Sequence, residues 1–235
     1  MTTPPQLPRD LAFSAHDLLR VAPDVAFSAA APSWVRESIA RTPWLVVRRA
    51  PISVSKVPVG VRGRTRAERH GDYIDIAAIA ECLRPEDLVI GRYGVFNLSE
   101  HLPMPPAAGY RSAALCAARA LVPIFEQYGL PWGPTGSVGF ECASGTPTAT
   151  ETSDLDLIIR CEQTLPLPEA SSLLDAIERV SISFNACRVD ANIETPYGCV
   201  SLIEYARTGG AMLMRTSTQP RMTRNPWSPI AMDVL

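Results

Sequence analysis

A chain of 235 residues can bury one large core or two small ones, and its 46% hydrophobic and 20% charged residues exclude a wholly disordered protein. The net charge of −2 gives no whole-protein reason to expect nucleic-acid binding, because that partner normally demands a basic excess. No apolar run approaches the roughly 20 residues a spanning helix needs. The opening "MTTPPQLPRD" has neither a basic start nor an apolar core, so the expectation is a cytoplasmic protein with no membrane partner. Six cysteines form no C-x-x-C pair, and the three histidines are not grouped with them, which argues against structural zinc and for reduced thiols.

In chain order, "SAHDLLRV" and "PSWVRESIARTP" read as short helices, the second with Ser33 in the cap position after Pro32. "WLVVRRA", Trp44 to Ala50, is rich in β-formers and predicts a strand running into a basic segment. "DYIDIAAIAECL" places Ile76, Ile79, Ala80 and Leu83 at helical spacing. Three prolines in four residues interrupt "HLPMPPAAGY", His101 to Tyr110, and the domain boundary is placed there. Residues 1–105 are read as a small mixed α/β domain and 106–235 as a second domain.

Within the second, "RSAALCAARALVPIFEQYG" predicts a long helix, with a possible kink at Pro123 and Gly129 as its stop. "SVGFECA", "SDLDLIIR" and "NACRVDANIET" read as strands, with an amphipathic helix over Glu169 to Val180 before the last. The fold class expected is α+β, or mixed α/β.

Alternate side chains of a strand share a face, so Asp154 and Asp156 in "SDLDLIIR" project together while Leu155 and Leu157 point inward. Two strand residues span about 6.6 Å, a separation from which carboxylates can converge on a hard cation. A wet strand edge gives the same alternation, and for an isolated D-x-D it is the commoner cause. Three neighbours support the metal reading. Gly136 and Ser137 follow a proline-containing turn where N–H groups and a hydroxyl can take phosphate oxygens, although a plain turn reads the same way. Ser153 is placed to brace a carboxylate. Asp190 lies on a later β-like segment and can supply a third carboxylate, or, like Glu194, simply face water.

Gly-Ser, then Asp-x-Asp on a strand, then an acidic residue on another strand resembles the nucleotidyltransferase superfamily. "WGPTGSVGFECASG", "SDLDLIIR" and "RVDANIETPYGCVSLIEY" resemble more narrowly the holo-acyl-carrier-protein synthase family of malonate decarboxylase, also called phosphoribosyl-dephospho-CoA transferase. "HDLLRV", "PSWVRESIARTPWLVVRRAP", "VPVGVRGRTRAER" and "LMRT" with "NPW" extend the likeness over nearly the whole chain.

The resemblance implies a nucleotidyltransferase-like C-terminal domain. It also implies transfer of the 2′-(5″-phosphoribosyl)-3′-dephospho-CoA prosthetic group from its 5″-triphosphate precursor to a serine of the apo acyl-carrier subunit of bacterial malonate decarboxylase, with release of pyrophosphate. It carries a metal role onto Asp154 and Asp156, and extends the site to Gly136, Ser137 and Asp190. Asp190 is either a metal ligand or the general base. All-oxygen ligands favour Mg²⁺, with Mn²⁺ as its substitute. Two alternatives are a nucleotidyltransferase with another acceptor and a non-catalytic nucleotide- or carrier-binding module.

"VGVRGRTRAERHG" concentrates Arg62, Arg64, Arg66 and Arg69, preceded by Lys56. Such a run is commonly a solvated face. It could instead hold the donor's phosphates, with Arg62 and Arg66 favoured, or steer an acidic carrier, while Gly60 and Gly63 would let backbone approach an anion. His16, His70 and His101 are read as surface or structural. G-x-S-x-G, P-loop and H-E-x-x-H motifs are absent from the sequence.

Overall fold

The computed structural model describes residues 13–65, 67–90 and 112–229. It is an α+β protein of two compact units, Met1–Arg84 and Pro85–Leu235. The units divide between Arg84 and Pro85, while the proline-rich segment His101 to Tyr110, the expected boundary, lies outside the described residues.

The first unit is a five-stranded antiparallel sheet built from β1 (Leu18–Val21), β2 (Trp44–Val47), β3 (Lys56–Arg62), β4 (Arg69–Asp75) and β5 (Ile79–Leu83), in the order β4-β3-β2-β1-β5. Helix α1 (Ser33–Arg41) buries Val35 and Ile39 in its core. In β3, Val57, Val59 and Val61 alternate inward and share that core with Leu19, Leu45 and Ile74.

Two expected helices of this unit are strands. β1 is hydrogen-bonded on both sides, with Leu18, Leu19 and Val21 buried and Arg20 exposed, and its four residues with two adjacent leucines are too short to carry a period-2 signal. "DYIDIAAIAECL" is the end of β4, a single 3₁₀ turn at Ile76–Ala78, and β5; pairing with β3 and β1 overrides its helical spacing. Ser33 is the first helical residue, and Pro32 occupies the cap position.

The second unit is organised on a four-stranded sheet of order β6-β7-β8-β9: β6 (Trp132–Pro134), β7 (Leu155–Arg160), β8 (Val189–Thr195) and β9 (Gly198–Ser201). The central pair, β7 and β8, is parallel and is joined by the crossover helix α5 (Leu167–Ser183); the other pairings are antiparallel. Around it run α2 (Pro85–Ile90), α3 (Ala113–Tyr128), α4 (Gly136–Ser144), α6 (Leu202–Thr208) and a two-stranded ribbon of β10 (Met212–Met214) and β11 (Arg221–Thr223).

The alanine-rich helix forms as expected, passes through Pro123 and stops at Gly129 in left-handed conformation, φ 62°. Phe125 of α3 stacks on Trp132 of β6 with ring centroids 4.4 Å apart, fixing the helix against the sheet edge. "SVGFECA" departs from expectation, since it is the helix α4. Val138 to Ala143 are all buried, and a helix buried on every side reads like an interior strand.

Candidate active site: an acidic sheet face beside a glycine-started helix

The short strand β6 delivers the chain to Thr135, whose N–H bonds the carbonyl oxygen of Asp156 at 2.8 Å. Gly136 then takes φ 59° and starts α4. A Cβ at this position would lie 2.1 Å from Asp156 Oδ2, so the backbone of Gly136 is flush against that carboxylate. Ser137 occupies the first turn of the nine-residue α4, where N–H groups lack intrahelical partners. The likeness-derived pair Gly136-Ser137 therefore meets the Asp-x-Asp strand, through a strand-to-helix turn rather than a turn before a strand.

Asp154 is the residue before β7 and Asp156 its second residue; both are half-buried, while Leu155 and Leu157 are fully buried. Across the parallel ladder, Asp156 is in register with Asp190 of β8. Residues directly opposed on neighbouring strands point to the same face, so the structure brings these two carboxylates to one side of the sheet. Arg188 Nε and Nη2 both reach Asp190 Oδ1, at 3.1 and 3.0 Å. Asp190 thus carries a cation already, while Asp154 has no hydrogen-bond or ion-pair partner among the described residues.

A cleft of about 560 Å³ opens beside these strands, lined among others by Asp156, Arg188, Asp190, Asn192, Ser201 and Arg215. Asn192 follows Asp190 on the same face, accepts a hydrogen bond from Arg215 Nη2, and stands opposite Ser201 of β9. Continued alternation through "VDANIE" could have flagged Asn192. Arg215 lies in the "LMRT" stretch of the family likeness, but nothing in the sequence placed it at the site, since a bridge between distant segments, Cys199 with Arg215, brings it here.

The loop leading to Asp154 is held by a residue that the sequence reading passed over. Glu141, in α4 and buried, accepts the N–H groups of Thr148 and Ala149 through Oε2 at 2.8 and 2.9 Å. One helix thus presents Gly136 and Ser137 at its start and ties down the acidic loop near its end. Ser153 does not brace a carboxylate through the bonds seen here: its hydroxyl accepts the Thr150 N–H at 2.9 Å and closes its own turn.

Among the described residues no group of three or more His, Cys, Asp or Glu side chains is gathered to cage a metal ion. The donor set still fits Mg²⁺, which takes one or two carboxylates and completes its shell with waters and substrate phosphates. Asp154 and Asp156 supply two oxygen-donor side chains, and Gly136, having no side chain, lets the second lie directly against the start of α4.

In the first unit, Arg62 ends β3, and its carbonyl accepts a hydrogen bond from Ser38 Oγ. Arg66 lies outside the described residues. The space over Gly60 and its cross-strand partner Gly71 is taken by the Arg48 side chain, and that beside Gly63 by Glu68. These glycines therefore accommodate side chains of the protein itself. His70 Nε2 sits 3.4 Å from Asp72 Oδ2, in a structural contact, and His101 lies outside the described residues.

All six cysteines are free thiols. Burial pushes Cys142 up to about 12, with the nearby Glu141 charge adding to it, and Cys161 up to about 11, so both are inert near neutrality. Among the described residues no helix is long and apolar enough to cross a membrane.

Fold and site define a two-unit α+β protein whose second unit carries an acidic sheet face at the start of a helix. Each half matches a family model. Residues 14–85 match the phosphoribosyl-dephospho-CoA transferase MdcG N-terminal domain, and residues 101–226 match the MdcG C-terminal domain. A phosphoribosyl-dephospho-CoA transferase of Azotobacter vinelandii is 36% identical over 92% of this chain and 95% of its own length. Proteins of the same name from Pseudomonas fluorescens and Pseudomonas putida are 35% and 33% identical, over 92% and 91% of this chain and 95% and 94% of their own. No solved structure matches. The chain belongs to the phosphoribosyl-dephospho-CoA transferase family, a family of bacterial transferases.

Proposed function

We propose that this protein transfers the 2′-(5″-phosphoribosyl)-3′-dephospho-CoA group from its 5″-triphosphate precursor to a serine of the apo acyl-carrier subunit of malonate decarboxylase, in the bacterial cytoplasm, by metal-dependent nucleotidyltransferase chemistry. The observation that carries this reading is the registered pair Asp156 and Asp190, with Gly136 flush against the first of them. An acidic face at the start of a helix suits a polyphosphate substrate only when a cation is shared between them.

In the reaction, a bond forms between the serine oxygen and the α-phosphorus of the donor, and the bond from that phosphorus to the bridging oxygen of pyrophosphate breaks. The serine proton leaves to a base, and pyrophosphate departs with the electron pair. Asp154 and Asp156 would hold Mg²⁺, which supplies charge neutralisation at the attacked phosphate and a lowered pKa for the hydroxyl. Gly136 and Ser137, in the first turn of α4, are the proposed substrate-binding residues, with the Ser137 hydroxyl as a donor to phosphate oxygens. Asp190, beside Asp156, is the third carboxylate, as metal ligand or as base, and Arg188 orients it. Asp190→Asn separates these roles: lost Mn²⁺ affinity marks a ligand, and a fall in kcat alone marks a base. Arg62 and Arg66 of the first unit are the candidates for contacts with the donor's phosphates.

The test is stoichiometry and donor choice. With Mg²⁺, triphosphate donor and apo carrier, one pyrophosphate should appear per carrier modified, and ATP or CTP should give negligible turnover. Efficient transfer from ATP or CTP would instead support a general nucleotidyltransferase.

A further inference from the structure

The sheet face that carries the two carboxylates has further members. From Asp156 and Asp190 it runs two residues along β8 to Asn192 and across to Ser201, then back along β9 to the buried Cys199, whose bridge partner is Arg215. Leu213 precedes Arg215 by two residues in an extended segment and therefore shares its side, and Met222 of β11 is directly opposite Leu213. The two are 47% and 64% exposed, whereas Met212 and Met214 on the other side of the ribbon are buried. An apolar cross-strand pair thus lies in water at the end of the path that leads to the carboxylates.

Its surroundings are cationic. Residues 205–229 contain Arg207, Arg215, Arg221 and Arg224 and not one Asp or Glu, in a chain whose overall charge is −2. Arg207 pairs with Glu178 and Arg215 with Asn192; Arg221 is directly opposite Met214 and so belongs to the other side of the ribbon, while Arg224 has no ion-pair partner among the described residues. The ribbon is anchored, since Cys199 and Arg215 exchange both backbone hydrogen bonds, at 2.9 and 2.8 Å. It presents a fixed surface.

We infer that the outer side of the β10–β11 ribbon, Leu213 and Met222 with Arg215 on the same side and Arg224 just beyond β11, docks an acidic protein acceptor and aims its nucleophile along the sheet toward Asp156 and Asp190. The inference rests on the transfer reading above and names the surface by which that site takes its protein substrate. An apolar centre with a cationic rim is complementary to a protein face of apolar residues set among carboxylates.

The experiment is steady-state transfer to the apo acyl-carrier subunit of malonate decarboxylase, by Leu213→Asp/Met222→Asp and, separately, Arg224→Glu. Donor affinity and thermal unfolding of each variant are measured alongside. Both should raise KM for the carrier about tenfold or more while kcat and donor affinity stay at wild-type values. Wild-type KM in both folded variants overturns the docking surface alone. Unchanged KM with lost binding to phosphatidylglycerol vesicles assigns the ribbon to a membrane and also overturns it. No transfer by the wild-type protein overturns the reading beneath it and the inference together.

Discussion

Gly136 is the residue on which the site turns. Its left-handed φ and the 2.1 Å that a Cβ would leave to Asp156 Oδ2 make it intolerant of any side chain for two independent reasons. Gly136→Ala should cost about 1–2 kcal/mol from the backbone conformation alone. It should also displace the Asp156 carboxylate, lowering transfer ~10-fold or more, because misplacing a reacting group by an ångström is that damaging. Thermal unfolding and initial rates check both parts. Wild-type turnover in the alanine variant would mean that Asp156 is not in the reaction. Much of this residue-scale picture was legible in the sequence: Gly136, Ser137, Asp154, Asp156 and Asp190 stand out as oxygen donors and an open backbone position. The Arg188 pairing, the Glu141 anchor and Arg215 were not, because each depends on which segments lie side by side, and an isolated Arg or Glu has no local signature.

At the level of elements, pairing decided what periodicity could not. The strand β7, helix α5 and strand β8 were readable because half-buried strands alternate and a surface helix shows a stripe. β1 misled because four residues with two adjacent leucines are too few to show a period, and α4 because Val138 to Ala143 are all enclosed, and an enclosed segment has no polar side to mark its period. Strand β4 shows a polar residue used structurally. Asp72 is buried beside Ile74; burial raises its carboxyl, but the N–H groups of Ser28 and Tyr73, each 2.8 Å away, outweigh that and hold it below its ordinary 3.8. A group with a lowered folded pKa stabilises above the unfolded value and loses that contribution as pH falls through the folded one. Stability toward urea should therefore drop as pH falls from 4 downward, in part through Asp72. Asp72→Asn should be about 1–3 kcal/mol less stable at pH 7 and show a shallower acid loss. Equal stability of the two proteins at pH 7 would remove Asp72 from the fold's support.

The whole molecule is two compact units, one matched by each domain of the family. The first is a five-stranded antiparallel sheet with its own core; the second holds the acidic face, the glycine-started helix and the β10–β11 ribbon. The sequence carried the family resemblance along nearly the whole chain, yet the ribbon's approach to the carboxylates is a product of sheet topology. The most direct measurement is the intact mass of the apo acyl-carrier subunit after incubation with Mg²⁺, the triphosphate donor and either wild-type protein or Asp154→Asn. Wild type should add the mass of one phosphoribosyl-dephospho-CoA group, and Asp154→Asn should add nothing while keeping the wild-type circular dichroism. Full modification by Asp154→Asn, or none by the wild type, would contradict the proposed chemistry.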